Sequence, residues 1–259
     1  MLKLYLSNIS DSIRSKLGIT DVINAQKFPD KIEEVYNKGS ADGWKEFQNA
    51  LTGNGERKSY YRAFYEADFT KKRFDPIIYP TNIGYAFLRY KGKEMPSGFD
   101  CSKAEYDETT TDHSIIPVLF AGHCLNLEHF PDMGIKPCGN ISSMFIECTN
   151  LKTIEILRVL DITTYPSTFS YCKSLEYIRF EGTIGTSISF SYSPLDVESM
   201  KDIITHLKNY TGTENEGTYT LTLKDECKTI LQEDTQTVEL GGEVYTYFEL
   251  IAAKGWNLA

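Results

Sequence analysis

FIECTNLKTI (residues 145–154) and FSYCKSLEYI (residues 169–178) are two settings of one pattern, and a looser copy, FAGHCLNLEHF (residues 120–130), precedes them. Cys124, Cys148 and Cys172 are 24 residues apart. Three positions later stand Leu127, Leu151 and Leu175, and three beyond those Phe130, Ile154 and Ile178. A small polar residue, Asn126, Asn150 or Ser174, precedes each Leu. Upstream, an aromatic recurs at Phe120, Phe145 and Phe169, with a one-residue slip in the first copy. A fixed period of this size marks a solenoid. One unit cannot bury its own apolar side, so stacked turns share a continuous core. Around each short strand the spacing points Leu151, Ile154 and Ile156 inward and Lys152 and Glu155 outward, and Leu175, Ile178 and Phe180 repeat it. Cysteine at a constant step suits a narrow buried slot for a small, soft side chain.

The recurrent core F-x-x-C-x-x-L-x-x-I resembles the BspA-type leucine-rich repeats over roughly Phe120 to Gly185. The resemblance implies an α/β chain of the α+β kind: a short leucine-rich-repeat solenoid between a helical amino-terminal module and an α/β carboxy-terminal cap. The corresponding divisions are residues 1–52 (helical module), 53–95 (aromatic-rich linker and cap), 96–192 (solenoid) and 193–259 (carboxy-terminal cap). A degenerate first repeat is expected near Phe99-Asp100.

Ahead of the repeats, Ile9, Ile13 and Leu17 lie on one stripe of a helix expected over residues 6–17. A second helix is expected after Pro29, near Asp30 to Tyr36, with the stripe Phe28, Ile32, Val35 and Tyr36, and helical spacing resumes at Trp44, Phe47 and Leu51. The segment ISDSIRSKLGITDVINAQKFPDKIEEVY resembles the opening module of structural proteins of phages that infect Gram-positive gut bacteria. The next, with Trp44 and Phe47, Asn54-Gly55, Tyr61-Ala63-Phe64, then Phe74 and Pro76, is similar to the segment joining that module to repeats in such proteins. The resemblance implies a tail- or baseplate-associated virion protein. Its residues 1–52 would anchor to other virion proteins, and its repeats would be displayed. The Ile32/Val35/Tyr36 stripe raises the prospect of a homotrimer. The aromatic crowd at residues 59–88 is read as a core that caps the first turn, not as a nucleic-acid platform.

After the repeats a helix is expected from Val197 to Tyr210. Asp196 is its N-cap, and Leu195 and Met200 form a hydrophobic staple. Thr218–Thr222 alternates as an edge strand, a helix follows near Lys224–Leu231, and Val244–Lys254 reads as the last helix. Gly255 suits the left-handed position after it, with Trp256 folding back.

Thirty-six Asp and Glu against 27 Lys and Arg give a net charge of −9, which argues against a nucleic-acid partner. No apolar run approaches membrane-spanning length. The amino terminus lacks the pattern of a secretory signal, so synthesis in a bacterial cytoplasm and export by lysis or within a virion are expected. Free, buried thiols are the expectation for the six cysteines. His123 and His129 flank Cys124, yet no second ligand pair accompanies them and no metal is expected. Neither nucleophile elbow nor phosphate or dinucleotide loop occurs, so no catalytic residues and no cofactor are assigned.

What remains is binding. The outward ladder of Glu128, Lys152 and Glu176, then His129, Thr153 and Tyr177, with Glu155 and Arg179 beside them, is the candidate partner-binding face, for a protein or a cell-surface glycan. An intracellular effector that blocks a host protein and a bacterial adhesion protein are the alternatives to the virion role.

Overall fold

The computed structural model describes residues 64, 66–68, 73–78, 80, 83–104, 120–160 and 167–259. The expected amino-terminal helices and part of the 59–88 aromatic crowd fall outside them.

Strands β1 (Arg73–Ile78) and β2 (Ser97–Phe99) pair in parallel. So do β3 (His129–Phe130), β4 (Thr153–Val159) and β5 (Tyr177–Gly182), in the order β3-β4-β5. Parallel neighbours in succession require the chain to travel round and return on the same side. His129 is in register with Thr153 and Thr153 with Tyr177, and Glu94 bridges to His129 from the turn before.

A second rail runs along the far side. Phe64 N–H donates to Ala86 O (2.9 Å), Phe87 to Phe120 (2.8 Å), Ala121 to Met144 (3.1 Å) and Phe145 to Thr168 (3.1 Å). These bonds make Phe64, Phe87, Ala121, Phe145 and Phe169 equivalent, so the stacking begins well before residue 96. Tyr90 and Ala67 occupy the step that Cys124, Cys148 and Cys172 occupy later. At the other end it continues past residue 192. Ser193 N–H returns to Phe190 O (2.9 Å) as Cys172 N–H does to Phe169 O (3.1 Å), and Phe190 stacks on Phe169 at 4.6 Å.

Inside, the slip in the first copy has a steric explanation. Ala121 takes the backbone place of Phe145, and Phe130 replaces the aliphatic of Ile154. The Phe130 ring then fills the vacated space, 6.1 Å from Phe120 and 4.8 Å from Phe145. An unbroken line of buried rings results, from Phe64 and Phe87 through to Phe190. Each ladder thiol gives an inward carbonyl of the previous turn a donor: Cys124 Sγ to Phe87 O (3.1 Å), Cys148 Sγ to Ala121 O (2.9 Å), Cys172 Sγ to Phe145 O (3.1 Å). All six cysteines are free and buried. Asn126 and Asn150 act likewise, their amides donating to Lys91 O and Leu125 O.

The expected inward set needs one correction. Ile156 is only half-buried, and Leu157 takes the inward place opposite Phe180. A register shift after Ile154 inserts an extra residue into β4, which turns the following side chain over.

Beyond β5 lies helix α1 (Val197–His206), capped by Asp196, whose carboxylate accepts from Ser199 N–H. It stops short of the expected Tyr210. Past Leu207 the backbone is extended, and Ile184 exchanges hydrogen bonds with His206 O and Lys208 N–H. Strand β7 (Thr220–Leu223) is not an edge strand: it is central, between β6 (Ile188–Phe190) and β10 (Asn257–Leu258). The chain terminus returns to cover it, a long-range pairing that local alternation does not reveal. Helix α2 (Asp225–Glu233) follows. The last helix is shorter than expected, because Glu243–Thr246 forms strand β9 against β8 (Thr237–Leu240) before α3 (Tyr247–Ala253) starts. A capping box sets that start, Thr246 with Glu249. At its end Gly255 (φ +77°) and Trp256 donate to Ala252 O and Ile251 O, closing the helix in the left-handed manner expected.

Candidate functional site

Five of the eight candidate residues, His129, Thr153, Glu155, Tyr177 and Arg179, alternate outward on β3, β4 and β5, and Glu128, Lys152 and Glu176 each stand one residue before a strand. Lys152, Glu155 and Glu176 are exposed; Glu128, His129, Thr153, Tyr177 and Arg179 are half-buried. Their charges are largely committed to one another. Glu128 takes Lys152 (3.1 Å) and Lys93 (3.3 Å), and those ammonium groups, Lys152 first, hold its carboxyl below the usual range.

His129 sits between Thr153 Oγ1 (2.5 Å from Nδ1) and Glu155 Oε1 (3.1 Å from Nε2). The other Glu155 oxygen accepts Asp132 N–H (2.9 Å). Hydroxyl, imidazole and carboxylate in this order have the connectivity of an activated nucleophile. The two backbone amides nearest Thr153 among the described residues are already engaged. The Thr153 N–H is spent on Glu128 O (3.4 Å) and that of Lys152 on the same oxygen (2.9 Å), so neither amide can serve an oxyanion at Thr153. The three groups fasten one turn to the next.

Further along the strands Arg158 grips Asp132 with both terminal nitrogens (2.8 Å each) and gives Nε to Glu181 (3.0 Å). This fork holds the Asp132 carboxyl below its ordinary range and raises the Arg158 guanidinium further. Arg179 lies 5.1 Å from the Tyr177 ring centroid and donates Nε to its hydroxyl (3.1 Å). The same guanidinium reaches Glu198 O (3.1 Å) and Asp202 (3.5 Å) on α1.

Sequence reasoning missed Lys93, Asp132, Arg158 and Glu181. The signal was present as arithmetic: Asp132 to Arg158 is 26 residues and Arg158 to Glu181 is 23, each close to one period. His123, the other histidine flanking Cys124, is on the opposite side, where it meets Glu147 at 3.0 Å. Among the described residues no group of three His, Cys, Asp or Glu side chains is placed to hold a metal ion, and no helix is long and apolar enough to cross a membrane. No family model, no curated protein and no solved structure matches this chain.

Proposed function

We propose that the chain is a short leucine-rich-repeat protein of a phage tail or baseplate, without catalytic activity, whose repeats present a binding face to a host-surface or virion partner. The observation that carries this reading is the face on β3, β4 and β5. His129, Thr153 and Tyr177 are in register there, and ties between turns, such as His129 to Thr153 and Glu155, hold its side chains. A surface ordered before it meets a partner loses less entropy on binding. Exposed Lys152, Glu155 and Glu176, with Tyr177 among them, leave polar and aromatic chemistry available for a protein or a glycan. The repeat pattern supports the family likeness, and the likeness of residues 1–52 to phage structural modules supports the virion role and an anchoring function for that segment.

Mass spectrometry of purified particles tests the role: the protein is expected in stoichiometric amounts with tail components, and its absence from virions rejects the reading. Light scattering on the full chain and on residues 53–259 tests the trimer, which a monomer in both would eliminate.

A further inference from the structure

A second column of outward residues runs along the rim opposite the strands, at the step before each cysteine position. Glu66, Arg89, His123, Glu147 and Tyr171 all have left-handed backbones there, with φ between 56° and 62°. The column closes in pairs. Arg89 meets Glu66 at 3.8 Å and His123 meets Glu147 at 3.0 Å. The last pair differs: Tyr171 stacks on Tyr192 of the following turn, centroids 4.5 Å apart and planes 26° from parallel. The tripeptide Phe-Ser-Tyr occurs twice, at 169–171 and 190–192, which puts the two rings at corresponding steps of successive turns.

Nothing in the core requires this pair. Tyr171 and Tyr192 remain 44% and 40% exposed, unlike the buried aromatic line one step inward. A bulky side chain is also a poor choice for a left-handed residue, where Gly or Asn would be unstrained. Lys173 holds its ammonium 5.8 Å from the Tyr171 centroid. Ser189 and Ser191, in the chain just before Tyr192, are exposed.

We infer that the Tyr171–Tyr192 stack, with Lys173, is a binding site for a neutral saccharide. The inference rests on the proposed display role and names the partner's chemistry and a different face for it. A pyranose has an apolar C–H face and a rim of hydroxyls. The exposed ring surface of Tyr192 suits the first, and two phenol oxygens and one ammonium suit the second. A protein partner fits less well: a stable interface needs roughly 800 Å² on each side around an apolar centre. Here the neighbours are the hydrogen-bonded His123–Glu147 pair, serines and a lysine.

The test is a printed array of neutral hexose and N-acetylhexosamine oligosaccharides probed with the full chain, followed by saturation-transfer NMR on the best binder. Binding is expected, with transfer strongest to the C–H protons of one sugar face. Tyr171→Asn, which tolerates the left-handed backbone, and Tyr192→Ser should each weaken it tenfold or more. Tyr192→Phe, which keeps the stack and the fold, should weaken it about threefold through the lost hydroxyl. Glu226→Gln on α2 and Glu239→Gln on β8, both exposed, should leave it unchanged, and Lys152→Glu and Tyr177→Ser report separately on the strand face. Failure to bind any saccharide overturns the inference, as does binding that only the strand-face variants abolish. Tyrosine-dependent attachment to host cells that survives periodate oxidation of their glycans also overturns it, in favour of a protein. The particle analysis is independent of all these outcomes, so the site and the virion role fail separately.

Discussion

Cys148 shows what one position in the repeat has to satisfy. Its side chain is fully buried, and its thiol gives Ala121 O a donor at 2.9 Å. Burial pushes the thiols of Cys101, Cys124 and Cys172 well up, which disfavours the reactive thiolate. A thiol reagent should therefore label none of the six cysteines in the native protein and all of them once urea has unfolded it. Rapid labelling of Cys124, Cys148 or Cys172 without denaturant would contradict the packing. Leu151 and Leu175 are buried completely, and truncating either to Ala should cost about 2–5 kcal/mol in urea unfolding, a core deletion with little room for collapse. Asp132 gives the pH dependence. Arg158 depresses its carboxyl in the folded state, so between that depressed value and about 4 the unfolded chain binds more protons than the native one. Stability from this group is full above the ordinary carboxylate range and is lost as pH falls through the folded value. Asp132→Asn should flatten the acid limb of a melting-temperature profile; an unchanged slope would show that the fork contributes nothing.

At the scale of elements, the feature that most shapes behaviour is how β5 ends the parallel sheet. An open edge invites pairing with another chain. Helix α1 covers it with side chains in place of a strand: Ser199 Oγ accepts Ile178 N–H (3.0 Å) and Asp202 Oδ2 accepts Phe180 N–H (2.7 Å). Asp196 N–H continues the rail by donating to Glu176 O (2.8 Å). Ser199→Ala should cost about 1–3 kcal/mol, the penalty of a buried donor without a partner. The double variant with Asp202→Ala should also associate as concentration rises, detectable by light scattering. A stable monomer would mean that the bulk of α1 alone guards the edge. The start of α1 was legible because Asp196, Leu195 and Met200 are local signals. Its end was not, since it is set by the distant pairing of His206 and Lys208 with Ile184. The opening of α3 could have been read from Thr246 and Glu249, a local capping box that the apolar spacing of Val244–Lys254 obscured.

Across the whole molecule, Lys254 joins the chain's last helix to α1. Its buried ammonium donates to Ile204 O (2.9 Å), Thr205 O (2.6 Å) and Leu207 O (2.9 Å), carbonyls at the end of α1. Burial pulls its pKa down to about 8, while three carbonyls at the negative end of a helix favour the proton. Lys254→Met keeps the stem and removes the donor, and should destabilise the fold by about 2–5 kcal/mol as several buried carbonyls lose their partner. Loss of less than about 0.5 kcal/mol in urea unfolding would show that water replaces it.

The amino-acid order alone determined most of the inward set from Phe120 to Phe180, because stride and alternation are properties of neighbouring residues. It also placed Glu128, His129, Lys152, Thr153, Glu155, Glu176, Tyr177 and Arg179 on one surface. Only the tertiary structure decided that those groups are mostly tied to each other, that Ile156 yields to Leu157, and that Tyr90 and Ser193 stand in the thiol column. Those outcomes depend on atoms brought together by winding, across separations that no local pattern encodes.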